Sequence, residues 1–275
     1  MSSTPSSISS STAPSAATPS SAILGIIGVG GLADFVVQGL RRAGDRRKVL
    51  LSPRNAERAA SLAQQCDAEV MPDNQAVVDA AGLILVAVPP AAVYDCVKAL
   101  RWHPGQVLIC VAIDVTEAGL HAAAPGTTVV RAMPSSCAAL NAGGTPIFPA
   151  NEMAADLFGK LGAVFAVENE AQFNTAAALA AYYLWSFAVI DTVAERAVAE
   201  GLPAEIARGL AAALTGGAAA VAASRPDLPA RTPLETFGLP GTMTRQGWDV
   251  LTQSDALNAW SKALDIAIAR MRSGQ

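Results

Sequence analysis

The stretch AILGIIGVGGLADF, residues 22–35, constrains this 275-residue chain more than any other. An apolar run ends in Gly-x-Gly-x-x-Ala (Gly28, Gly30, Ala33) and passes into a helix-forming segment. The first glycine permits a tight turn, and the second lets the backbone approach a pyrophosphate. The third position need only be small enough for the helix to pack on its strand. Phosphates would then lie against the helix N-terminus, where unpaired N–H groups and the helix dipole favour negative charge. Alone, such a motif is weak; at the head of a series of β-α units it becomes specific. That series follows, in the runs KVLLS, LILVAV, QVLICVAI and TTVVRAM, with a further short strand in GAVFAVEN near Glu168. These runs are continuous rather than alternating, which suits parallel strands buried on both faces. Helical stretches at 55–65 and 74–81 lie between them, with Gly44 and Gly82 as expected helix ends. The reading is a doubly wound Rossmann sheet over residues 21–169 that binds a dinucleotide.

After Ala171 the pattern changes to long helices, expected at 173–200, 204–223 and 254–272. The proline-rich SRPDLPARTPLETFGLPGTMT separates the last two. Helices this apolar and alanine-rich need cover from each other or from a second subunit, so 170–275 reads as a helical substrate and dimerisation domain. The longest apolar stretch, 175–190, is shorter than the roughly 20 residues that span a bilayer, which predicts a buried helix and no membrane partner. With 15% charged residues and a net charge of −4, the chain offers no broad basic surface for nucleic acid. Cys66, Cys96, Cys110 and Cys137 are scattered without a CxxC pair, as reduced thiols of a cytoplasmic protein are, and no metal site is expected. Residues 1–20 are Ser, Thr, Pro and Ala in the main, with neither the basic start nor the apolar core of a secretory signal, and read as a disordered tail.

The second strand ends in LLSPRN. A site preferring NAD places an acid here to accept from the ribose 2′-hydroxyl. Ser52, Arg54 and Asn55 stand there instead, and a guanidinium with a neighbouring hydroxyl suits a 2′-phosphate, so the cofactor expected is NADP(H).

From residue 23 onward the chain resembles the pyrroline-5-carboxylate reductase family. DNQAVVDAAGLILVAVPP resembles that family's Asn-containing helix and the strand before its Val-Lys-Pro. VVRAMPSSCAALNAGGTPIF is similar to its RxMPNTPxxxGxG stretch, IDTVAERAVAEGLPAEIA to its dimerisation helix, and LPGTMTRQGWDVL to its SPGGTTxxGLxxL. The resemblance implies reduction of an imine by NADPH in a homodimer. It implies that Gly28, Val29, Gly30, Gly31, Leu32, Ser52, Arg54, Asn55 and Asn74 surround the cofactor, with Val88, Pro89 and Ala112 towards the nicotinamide half. Met133, Ser135, Gly241, Thr242 and Met243 would face the substrate, whose carboxylate the backbone of 241–244 would hold. Thr244 would hydrogen-bond the substrate.

The departures gather on the substrate side. The family's SGSGP is LAAYY here, residues 179–183; its SPGGTT is LPGTMT; its MPNTP is MPSSC; its Ala-Ala-Gly is Ala112, Ile113 and Asp114; its Val-Lys-Pro has Pro89 for lysine. A related chemistry on a different, cyclic and carboxylate-bearing imine is therefore expected. Two kinds of proton donor are available. Tyr182 and Tyr183 are adjacent, and helix neighbours point about 100° apart, so at most one faces a pocket. Asp114, at the end of a central strand, would have a raised pKa if buried and act as a general acid; a helix cap or turn is its simpler role. Other functions stay open: pyrroline-5-carboxylate reduction itself, a β-hydroxyacid dehydrogenase, or an NADP-binding sensor. The absence of lysine between Lys160 and Lys262 counts against the dehydrogenase.

Overall fold

The structure, a computed structural model, describes residues 20–273. The expected tail lies outside the described residues except for Ser20, which opens the first strand. Eight strands form one sheet in the order β3-β2-β1-β4-β5-β6-β7-β8. They are β1 (Ser20–Ile27), β2 (Val49–Leu51), β3 (Glu69–Val70), β4 (Ala81–Val86), β5 (Val107–Cys110), β6 (Thr128–Ala132), β7 (Gly144–Phe148) and β8 (Ala163–Ala166). The first six run parallel, β7 is antiparallel to β6, and β8 is parallel to β7.

Alternate residues of each central strand feed two apolar layers, one on each face of the sheet. Leu24, Ile26, Leu83 and Leu85 meet Val36 and Leu40 of α1 (Gly31–Arg42) on one face. Ile27, Ile84 and Val86 meet Val77 and Val78 of α3 (Asn74–Ala80) on the other. Because both faces are covered, every residue of β4 is buried, and the strand can be apolar throughout. The helices begin where short polar side chains satisfy their orphan N–H groups. Asn55 caps α2 (Ala56–Cys66), Asp73 caps α3, and Thr116 caps α5 (Glu117–Ala123). Gly44, at φ +78°, follows α1 as expected. Gly82 does not end a helix: it lies within β4, because Ala81 is already extended and α3 runs into the strand without a loop.

Two strands were not foreseen. β3 has two residues, and β7 carries Pro146, which speaks against a strand in sequence. Pro146 is accommodated because its carbonyl accepts the Met133 N–H, at 3.1 Å, while its missing donor is not needed.

Beyond α4 (Val93–Lys98) and α6 (Glu152–Gly159), the chain becomes wholly helical: α7 (Glu170–Ala199), α8 (Ala204–Ser224), α9 (Thr232–Phe237), α10 (Met243–Gln253) and α11 (Ala256–Ser273). The proline-rich segment thus contains α9, and α10 follows it, where only a separator was expected. α7 also outruns its expected bounds at the N-terminus, since Asn169 caps it by accepting the Gln172 N–H. By length and composition α7 and α8 are each sufficient to cross a bilayer, which corrects the estimate from 175–190 alone. Most of both is exposed in a single copy, with Leu184, Phe187, Val193 and Leu214 on the surface.

A buried ion pair joins the two halves. Arg131 on β6 donates to Glu170 Oε1 (2.8 Å) and Asn174 Oδ1 (3.0 Å) and lies 4.4 Å above the Phe173 ring. Glu170 also accepts the Glu117 N–H at 2.8 Å, so the first turns of α5 and α7 share one carboxylate.

Close to the sheet, α1 touches the short 3₁₀ turn at Ser136–Leu140 through Gly39. A Cβ at Gly39 would stand 2.0 Å from the Ala138 carbonyl oxygen, so only glycine admits this approach. Gly39→Ala is expected to destabilise the protein by about 1–3 kcal/mol, as overpacking does. An unchanged urea midpoint would show that the turn does not depend on this contact.

Candidate active site

Gly28 turns at φ +96°, and a Cβ there would lie 2.7 Å from the Val88 nitrogen, so the loop rests on the backbone that leaves β4. Gly30 is extended and forms the N-cap of α1; nothing stands within 4 Å of where its Cβ would be. Ala33 is fully buried against the strand. The motif therefore leaves the first turn of α1 open to a ligand on one side only.

That side is a cleft of about 780 Å³ at the C-terminal ends of β1, β2, β4 and β5. Gly28, Val29, Gly30 and Leu32 line it from the first loop, Arg54 and Asn55 from the second, Val88 and Pro89 from the third, and Ala112 from the fourth. Among the described residues, Arg54 is the one charged residue on its wall, at the end away from Ala112. An elongated apolar trough with N–H groups at its middle and a guanidinium at one end fits a dinucleotide carrying a 2′-phosphate.

Three residues expected at the cofactor do not line the cleft itself. Ser52 is buried beneath the loop, and its hydroxyl accepts the Gly28 N–H at 3.0 Å. It props the turn instead of facing the cleft. Gly31 is the first residue of α1 and does not line the cleft. Asn74 opens α3 and reaches Cys96 Sγ at 3.8 Å. Burial pushes the Cys96 thiol up while the charge of Arg54 opposes it, so Asn74 and Cys96 adjoin the Arg54 end. Arg58, outside the cleft lining as Gly31 is, adds a candidate: its Nη1 lies 3.6 Å from where a Gly31 Cβ would be. The signal was a second arginine four residues after Arg54, in the first turn of the following helix.

A second cavity, of about 310 Å³, lies between α7 and the ends of β6, β7 and β8. It brings together Met133, Ser135 and Tyr183. Strand pairing aligns Cys110 with Arg131, so two residues further Ala112 borders the first cavity and Met133 the second. Tyr183 Oη is 2.8 Å from Ser136 Oγ, and burial raises its phenol above the usual tyrosine range. Its neighbour Tyr182 points to the other side of α7, edge-on to Trp260 at 5.9 Å between centroids. Only Tyr183 of the pair faces this cavity.

Asp114 is not the buried acid that was considered. It occupies a left-handed backbone position, φ +59°, and its two oxygens accept from Arg270 of α11 at 2.9 and 2.7 Å. Both of its oxygens are thus engaged by a guanidinium in a partly exposed setting, not enclosed in an apolar pocket. Arg270 in turn is held more firmly protonated by that contact.

Gly241 (φ +86°) and Thr242, the N-cap of α10, do form a helix start, but Gly241, Thr242, Met243 and Thr244 line neither cavity. Thr244 is exposed.

Comparison with known proteins gives the family of the chain. Residues 23–114 match the family described as NADP oxidoreductase coenzyme F420-dependent, and residues 170–273 match pyrroline-5-carboxylate reductase dimerisation. A pyrroline-5-carboxylate reductase of Mycobacterium leprae is 33% identical over 228 residues, 76% of either chain. The chain belongs to the pyrroline-5-carboxylate reductase family. Among solved structures, the Coxiella burnetii pyrroline-5-carboxylate reductase superposes with a TM-score of 0.78 at 24% identity, covering 93% of this chain and 98% of that one. The Plasmodium falciparum pyrroline carboxylate reductase with NADP bound also reaches 0.78, at 17% identity over 91% of this chain and 97% of its own. The protein is accordingly an NADP-dependent oxidoreductase of the pyrroline-5-carboxylate reductase type, acting on a CH–NH bond, with a Rossmann-like domain followed by a helical dimerisation region.

The two polar residues after β2 separate by cofactor. Ser52→Ala leaves the Gly28 N–H buried and unpaired, at a cost of about 1–3 kcal/mol, and is expected to weaken NADPH and NADH equally. Arg54→Ala is expected to weaken NADPH alone, by roughly 10- to 100-fold, as loss of a charge-assisted contact does. Fluorescence titration with both nucleotides checks this; a loss confined to NADPH in Ser52→Ala would put that hydroxyl on the 2′-phosphate.

Proposed function

We propose that this protein uses NADPH to reduce the C=N bond of a cyclic imine other than the family's namesake substrate, in a homodimer of the cytoplasm. The observation that carries the reading is Tyr183. It stands where the family's small SGSGP residues align, on the wall of the second cavity, with its hydroxyl held by Ser136. NADPH in the cleft would supply hydride to the imine carbon, the C=N electron pair passing to nitrogen, which takes up a proton. The glycine loop would hold the diphosphate through backbone N–H groups, and Arg54 with Arg58 would take the 2′-phosphate. Tyr183 donates to the imine nitrogen: its hydroxyl is on the cavity wall, and a phenol carries its proton at neutral pH; burial, which raises its pKa, makes it a weaker acid that relies on positioning. Ser136 fixes the ring's rotation. Thr244 can serve a substrate only if a second copy brings α10 to the sheet's edge, which agrees with the exposed apolar faces of α7 and α8. Four free thiols suit a reducing compartment.

The likeness to pyrroline-5-carboxylate reductases, together with the open N-terminus of α10, favours a second reading in which Δ1-pyrroline-5-carboxylate itself is reduced, its carboxylate resting on that helix start.

NADPH oxidation measured over a panel of cyclic imines, Δ1-pyrroline-5-carboxylate included, tests both. Turnover of another imine with little on the carboxylate supports the first reading; binding of NADPH without turnover of any imine overturns both. Tyr183→Phe is expected to lower kcat about 100-fold, the typical worth of general acid catalysis, with NADPH affinity unchanged. A retained kcat would remove Tyr183 as donor.

A further inference from the structure

The second cavity carries a statement about substrate class that rests on the reading just given. Its walls are apolar for the most part: Met133, Pro146, Phe165, Leu179, Ala180 and the ring of Tyr183. The remaining lining is glycine, alanine, Ser135 and Cys137, and among the described residues of one copy no lysine or arginine lines it. A carboxylate entering this space would lose its water and gain no counter-charge, which is costly. An apolar group would exchange water for packing at no such cost.

The helix start of α10, where a substrate carboxylate is expected to rest, points the same way. Leu239 and Met243 stand at family positions of serine and threonine, and they are 57% and 88% exposed. The Thr242 hydroxyl is already engaged, donating to the Leu239 carbonyl at 2.7 Å and accepting the Arg245 N–H at 3.2 Å. The Arg245 guanidinium pairs with Asp249 at 2.8 Å. The Thr242 and Arg245 side chains are thus occupied, and an anion here would be left with backbone N–H groups and the uncharged hydroxyl of Thr244.

We propose that the cavity beneath α7 is a substrate subsite for an apolar alkyl or aryl substituent of the imine, and that this enzyme selects such imines over those bearing a carboxylate. The Tyr183–Ser136 hydroxyl pair marks the polar rim from which the nitrogen is protonated, while Leu179, Phe165 and Met133 receive the substituent. The reaction balances as in the parent chemistry: hydride from NADPH and one proton convert the C=N bond to CH–NH and leave NADP⁺.

The test pairs binding with turnover on the full-length protein. Calorimetry with NADP⁺ present compares two product amines, 2-phenylpyrrolidine and L-proline. Steady-state kinetics compares 2-phenyl-1-pyrroline and Δ1-pyrroline-5-carboxylate. The aryl member is expected to be favoured roughly 10- to 100-fold in both, the scale on which an apolar pocket discriminates. Ala180→Phe, which fills the cavity, is expected to abolish that preference with NADP⁺ affinity retained. Leu179→Arg, at a half-exposed position that tolerates charge, is expected to turn the preference towards L-proline. Equal or tighter binding of L-proline by the wild type, or a ratio that neither variant moves, would overturn the subsite. Turnover confined to Δ1-pyrroline-5-carboxylate would also overturn it while leaving imine reduction intact. An aryl preference in calorimetry without reduction of any imine would uphold the subsite and sink the catalytic reading instead.

Discussion

A buried guanidinium sets the angle at which the second half of the molecule leaves the first. Arg131 is 2% exposed, and its charge is met by Glu170 and Asn174 in the first turns of α7 and by the face of Phe173. A buried charge that loses its partner costs several kcal/mol, about 3–5 in measured cases. The pair is therefore less a source of net stability than a constraint with few alternatives: it ties the start of α7 to β6. Everything on that helix inherits the direction. Tyr183 falls over the ends of β6, β7 and β8, and Tyr182, one residue earlier, turns to Trp260 and the helical layer.

The same rigidity explains the helical region's composition. α7 and α8 hold a small shared core, Ala194, Ala207 and Ala211, and otherwise present leucine, valine and phenylalanine outward. Small residues at the contact let the two helices approach closely, and the larger ones are left for a further surface. A dimerisation region is the type of structure that makes this economical, since a second copy offers the same apolar stripes in return.

How much of this was legible in sequence depends on whether the physics was local. The glycine loop and the apolar strands of the central sheet are local devices, and the structure uses them as read. What escaped was set by distant partners. Ser52 has the right chemistry for a phosphate, but its burial is fixed by a loop 24 residues earlier in the chain. Asp114 looked like an acid in a pocket; its ion pair lies 156 residues away on α11. β7 was hidden by Pro146, whose lost donor matters only if a neighbour needs it. The resemblance between SGSGP and LAAYY located the altered stretch, yet only the direction of α7 decided which tyrosine faces the sheet.

Asp114 also carries a consequence for the chain's far end. The residues before it, Ala112 and Ile113, border the cofactor cleft, and Arg270 grips the loop from the last turns of α11. The threshold of the nucleotide's resting place is thus partly held by α11. A displacement of that helix would reach the cleft directly through one guanidinium, without having to travel through either core.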